Sequence, residues 1–291
     1  MDYVNKDALV STAWLADHLS APDVRVVDAS WYLPALKRDS KTEYAAQHIP
    51  GAVFFDIDEI ADTDNPLPHM LPSAEKFSAR MRKLGLGDGN RIVVYDGGAM
   101  SSAARAWWTF RVFGHNDIAV LDGGFRKWLR EGRRVETSAP NPRERHLTAR
   151  FNHALVRDVE QVKRNVNSAR EQVLDARPAA RFSASEPEPR PGLRGGHIPG
   201  SLNLPVNLLV DQESGTMKPA DELLRLFKDA GIDMQRPVVT TCGSGITASH
   251  LALALHLLGH KDVAVYDGSW SEWGSRSDTP VETGAAPRKV S

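Results

Sequence analysis

Short apolar runs rich in β-branched residues recur along the chain, and the stretches between them carry apolar positions at helical spacing. Residues 24–27, 92–94, 238–241 and 263–265 are uninterrupted enough to predict strands buried on both faces. Residues 220–230 predict a helix closed by Gly231. In the stretch after position 245, Leu251, Leu255 and Leu258 fall at i, i+4 and i+7, predicting a helix with one core stripe that stops at Gly259. Strands and helices in alternation imply parallel sheets covered by helices, an α/β architecture. Trp107, Trp108 and Phe110 recur at helical spacing and are expected in the core.

The pattern also repeats. VRVVDAS (24–30), HIPGAVFFD (48–56), RIVVYDG (91–97) and GHNDIAVLDGGFRKW (114–128) return in the same order as EQVLDAR (171–177), GHIPGSLNLP (196–205), PVVTTCG (237–243) and GHKDVAVYDGSWSEW (259–273). Four ordered blocks argue for duplication of one domain. Between the copies the polar stretch ETSAPNPRERHLTAR breaks both periodicities. Domains are therefore expected over 1–136 and 151–291, with a linker at 137–150.

Composition narrows the function. The 291 residues hold 36 basic and 37 acidic side chains, a formal charge of −1, so no global field favours nucleic acid or an anionic membrane. No apolar run approaches the roughly 18 residues of a membrane span. The N-terminus has acidic residues where a secretory signal carries basic ones, and the expected location is cytoplasmic. Cys242 is the only cysteine. It cannot form an internal disulfide or a thiolate zinc site, and the histidines show no paired spacing, so no metal or other cofactor is expected.

Cys242 ends a predicted strand about four residues before a helix, the place where open parallel sheets bind ligands. Gly243 and Gly245 allow a tight turn with N–H groups aimed inward, and the helix N-terminus lies behind them. Both features favour a thiolate. A cysteine phosphatase needs arginine six positions after the nucleophile, where this chain has Ala248. Attack on sulfur, with a cradle for the resulting persulfide, is the chemistry that remains.

The two GHIPG-type turns, the DGG and DGS blocks, and a cysteine in the second copy alone make the chain resemble the tandem-domain sulfurtransferases of the rhodanese superfamily. The resemblance implies two rhodanese-like domains, each a parallel sheet flanked by helices, the first catalytically silent because Asp96 stands where a cysteine would be. The neutral loop CGSGIT is similar to that of the 3-mercaptopyruvate sulfurtransferase branch. This likeness implies sulfur transfer from 3-mercaptopyruvate through a Cys242 persulfide to thioredoxin, a small thiol or cyanide, with release of pyruvate. It implies that Arg181 and Arg190 bind the donor's carboxylate and ketone beside a loop of Gly243, Gly245, Ile246 and Thr247. It also implies that Ser244, His69 and Asp58 assist proton transfer, with Asp56 as a rival acid. His48 and His197 occur in both copies and are expected to shape turns, and Arg194 to be a solvated loop residue. The alternatives are a thiosulfate-using enzyme and a persulfide carrier that does not turn over a small donor.

Overall fold

The computed structural model describes residues 2–138 and 140–286. Position 139 of the expected linker, position 1, and positions 287–291, which close the expected second domain, lie outside the described residues. The first sheet comprises β1 (Leu9–Val10), β2 (Val24–Asp28), β3 (Val53–Phe54), β4 (Arg91–Tyr95) and β5 (Ile118–Leu121), in the order β1-β5-β4-β2-β3. The second comprises β6 (Val156–Arg157), β7 (Gln172–Asp175), β8 (Leu202–Asn203), β9 (Val238–Thr241) and β10 (Val263–Tyr266), in the order β6-β10-β9-β7-β8. Every pairing is parallel. The sequence repeat is thus a repeat of topology, and the expected α/β architecture of two sheets flanked by helices is what the chain adopts. The central strands β4 and β9 are buried along nearly their whole length, Thr240 and Thr241 included, because helices cover both faces.

The helices Ser101–Val112 and Ile246–Leu257, which follow β4 and β9, pack against each other where the two halves meet. This contact corrects the expected core stripe. All residues of Ile246–Leu257 except Thr247 and His256 are buried, because one side meets its own sheet and another the partner helix. Leu258 caps the helix and is only half-buried. One apolar cluster runs through both halves, joining Val27, Val94 and Trp108 to Leu174, Cys242 and Leu251. A junction of this kind resembles a core more than a sliding domain contact, so it holds the cleft above it in one geometry.

Residues 137–150 contain no helix or strand among those described, yet they are tied down. Leu147 is 1% exposed, and the His146 carbonyl accepts from Asp88 N at 2.8 Å. His48 and His197 each place Nδ1 against a backbone carbonyl, Tyr44 O at 2.8 Å and Phe182 O at 2.9 Å, and their main chains bridge Glu136 and Glu282. Neither lines the cysteine cleft. Arg194 is not a solvated loop residue: it donates to the carbonyls of Trp273, Gly274 and Thr279 and fastens the segment after β10. Trp270 and Trp273 are buried in the second domain's outer core.

Candidate active site

The loop after β9 is built so that its carbonyls are used elsewhere. Cys242 O accepts from Trp270 N at 2.9 Å, and Gly243 O accepts from both the amide and the hydroxyl of Ser271, at 2.9 and 2.6 Å. With the carbonyls turned away, amides face inward, and Gly245 N–H donates to Cys242 Sγ at 3.1 Å. Gly245 has φ +82°, and a Cβ there would meet Arg105 Nη1 at 2.6 Å and the Asp267 carbonyl at 3.1 Å, so only glycine fits. The first-turn amides of Ile246 and Thr247 have no partner within the helix.

The first domain shows what this geometry does to an anion. Asp96 follows β4 as Cys242 follows β9, and its carboxylate accepts from the amides of Gly98, Met100 and Ala103 at 2.9, 3.1 and 2.9 Å and from the Ser102 hydroxyl at 3.0 Å. The duplicated strand–loop–helix turn is an anion cradle. One copy fills it with a carboxylate of its own; the other presents sulfur.

Cys242 is 2% exposed and lies on a cleft of about 360 Å3 between the domains, with Asp96 and Trp31 on the first-domain side. Arg181, on the short helix Ala179–Phe182, and Arg190 both stand over the cysteine loop: a Cβ on Gly243 would be 3.5 Å from Arg181 Nη2 and 3.7 Å from Arg190 Nη1. Ser244, Ile246 and Thr247 line the same cleft.

Asp58, His69 and Ser244 form a chain of contacts across the domain junction. His69 Nδ1 is 2.9 Å from Ser244 Oγ, and its Nε2 is 3.1 Å from Asp58 Oδ1. Trp31 packs edge-on against the imidazole and donates its indole N–H to Asp58 Oδ2 at 3.0 Å. The His69 hydrogen bond, helped by that from Trp31, holds the Asp58 carboxyl below the usual carboxylate range. Asp56 is the structural acid: its carboxylate caps the helix Ile57–Ile60 by accepting from Asp58 N and Glu59 N. His69 sits at φ +63° with its carbonyl held by Arg105, which also pairs with buried Asp267 at 2.7 Å. Asp267 in turn accepts from Leu71 N at 2.8 Å.

The rhodanese-like domain profile matches the chain twice, over residues 11–131 and 158–276. The chain belongs to the rhodanese-like family. It is similar to the 3-mercaptopyruvate sulfurtransferase of Homo sapiens, 44% identical over 276 residues that cover 93% of each chain. It is also similar to the thiosulfate sulfurtransferase of Rattus norvegicus, 46% identical over 284 residues covering 95% of this chain and 94% of that one. Among solved structures, SseA from Escherichia coli superposes with a TM-score of 0.83 at 41% identity, covering 90% of this chain and 98% of that one. Relatives named for two different donors are thus nearly equally identical. Overall identity therefore does not by itself decide the donor of this rhodanese-like chain.

Every expected site residue of the second domain except Gly245 lines one cleft, Gly245 reaching it only through its amide on the Cys242 sulfur, and Ser244 joins Asp58 and His69 to that cleft. Other members of the site were not visible in the sequence. Glu188 accepts from Arg181 Nη2 at 2.5 Å and from Arg177 Nη1 at 2.8 Å, with its side chain 2% exposed. Arg177 is itself held by both oxygens of Asp175, its Nε reaching Oδ1 and its Nη2 reaching Oδ2. The only hint was EPEPR, where prolines on both sides stiffen the main chain around Glu188. Trp31, Arg105 and Asp267 carried no signal. Among the described residues no group of three or more His, Cys, Asp or Glu side chains is placed to hold a metal ion.

Proposed function

We propose that the chain is a sulfurtransferase that takes sulfur from 3-mercaptopyruvate through a persulfide on Cys242. The observation that carries the reading is the Cys242 sulfur receiving the Gly245 amide in a loop overlooked by two guanidiniums, lining a cleft sized for a small acid. Arg190 and Arg181 hold the donor's carboxylate and ketone, for which their planar forks are suited. The Cys242 thiolate attacks the donor sulfur; an S–S bond forms, the C–S bond breaks, and its electron pair passes into the enolate of pyruvate. Arg181, beside the ketone, stabilises the oxygen on which that charge develops. The thiol proton of the donor reaches the enolate carbon by way of Ser244 and His69, with Asp58 fixing the imidazole's orientation. Loop amides stabilise first the thiolate and then the persulfide. In the second half-reaction a thiolate acceptor, such as thioredoxin or a small thiol, or cyanide, attacks the outer sulfur and returns the Cys242 thiolate.

The reading includes a reducing, cytoplasmic setting, which a single unpaired thiol supports; no helix among the described residues is long and apolar enough to cross a membrane. Thiosulfate is the second reading, favoured by the 46% identity to a thiosulfate sulfurtransferase. Against it, no residue from Gly243 to Ser249 carries a cation for a dianion. Steady-state turnover with each donor and a common thiol acceptor decides. Ping-pong kinetics with mercaptopyruvate as the better donor supports the proposal; a clear preference for thiosulfate overturns it.

A further inference from the structure

Two arginines over a cysteine loop suggest a doubly cationic site, but the structure makes them unequal. Arg181 is bound through Nε and Nη2 to Glu188, at 3.3 and 2.5 Å, and the same carboxylate takes Arg177 Nη1 at 2.8 Å. Arg177 is further paired with Asp175 through bonds of 2.6 to 3.1 Å. In this buried row of Asp175, Arg177, Glu188 and Arg181 the charges alternate and cancel. Arg190 makes no hydrogen bond or ion pair among the described residues. The cleft therefore offers a donor one uncompensated cation. Asp96, across the cleft, is occupied by main-chain amides, and any charge it adds is negative.

We propose that Glu188 is a specificity-determining residue: by drawing Arg181 into a carboxylate pair shared with Arg177, it leaves Arg190 as the single free cation and selects a monoanionic thiol acid over a dianionic donor such as thiosulfate. The proposal rests on the sulfurtransferase reading above and deepens it. Desolvating a dianion costs far more than desolvating a monoanion, and a single cation cannot offset the difference. Removing the Glu188 charge would add attraction in proportion to donor charge, so it favours a dianion twice as strongly as a monoanion. Glu188 also holds Arg181 in place, but that role alone would weaken both donors together.

The test compares kcat/KM for thiosulfate and for mercaptopyruvate in the native enzyme, in Glu188→Gln and in Glu188→Asp, with thermal melting to establish folding. The thiosulfate-to-mercaptopyruvate ratio is expected to rise about tenfold or more in Glu188→Gln, mainly through a lower KM for thiosulfate. It should return towards the native ratio in Glu188→Asp, which keeps the charge. A folded Glu188→Gln enzyme with an unchanged ratio overturns the proposal. If the native enzyme does not use mercaptopyruvate, the donor assignment fails, while a fall in the thiosulfate KM of Glu188→Gln still tests the charge effect. Should Glu188→Gln not fold, the ionic-strength dependence of kcat/KM in the native enzyme reads the product of donor and cleft charge. With the alternating row neutral, Arg190, Asp96 and the Cys242 thiolate leave the cleft a net charge of about −1, so for mercaptopyruvate a product of about +1, read as kcat/KM rising with salt, supports a single free cation, and a product of about zero or below overturns it.

Discussion

Replacing Asp58 by asparagine removes one charge from the His69 contact chain while nearly preserving its shape. His69 Nε2 lies 3.1 Å from the carboxylate. Coulomb's law for unit charges at that separation gives about 1.3 kcal/mol in bulk water and about 5 kcal/mol at an effective dielectric of about 20. The imidazole is buried, but the Asp58 side chain is 62% exposed, so water screens the pair and the lower figure governs. As about 1.4 kcal/mol corresponds to a factor of ten, Asp58→Asn should lower kcat for pyruvate release about tenfold. KM for mercaptopyruvate should hardly move, because Asp58 does not line the donor cleft. His69→Gln removes the proposed proton carrier and should cost about a hundredfold in kcat. The assay is steady-state pyruvate release at saturating thiol acceptor, with single-turnover rapid quench to isolate the first half-reaction. An Asp58→Asn enzyme with native kcat, or one whose loss falls entirely on KM, would refute the assignment of this contact chain to proton transfer.

Gly245→Ala should destabilise the protein by about 1–2 kcal/mol from the left-handed backbone alone. The new Cβ would also push on Arg105 and the Asp267 carbonyl, so persulfide formation should fall with stability in denaturant titration and single-turnover assays. Burial pushes His250 and His256, both on the inter-domain helix, down from 6.5 to about 4. Between those values the unfolded chain binds the extra protons, so stability should drop as the pH falls from about 6.5 towards 4, by about 2 kcal/mol per histidine at pH 5. Buried Asp28 and Asp122, raised to about 6, act in the opposite direction over this range. Urea unfolding at pH 7 and pH 5 is therefore compared between the native protein and His250→Gln: the variant should lose less stability on acidification, and an equal loss would contradict the burial of the His250 ring.

Much of the fold was legible because duplication wrote each element twice. Parallel β-branched runs, turns closed by Gly231 and Gly259, and a cysteine at the end of β9 all follow from local sequence. What failed was the environment beyond the local element. Leu251, Leu255 and Leu258 predicted a stripe, whereas the helix is buried nearly all round because a helix from the other domain lies against it. Arg194 reads like any loop arginine until its three carbonyl partners, up to 85 positions away, are in place. Arg105 and Asp267 are separated by 162 positions and meet only through the domain junction. Glu188 looked like one acid in a Pro-Glu stretch, since nothing in its neighbours says which guanidiniums it will bridge.

The central claim is that Cys242 carries the transferred sulfur. Intact-protein mass spectrometry after mixing the acceptor-free enzyme with 3-mercaptopyruvate tests it directly. The account predicts a gain of one sulfur atom, released on adding a thiol acceptor and never formed in Cys242→Ser. Pyruvate release by the Cys242→Ser protein, or turnover by the native enzyme with no sulfur ever found on Cys242, would contradict it.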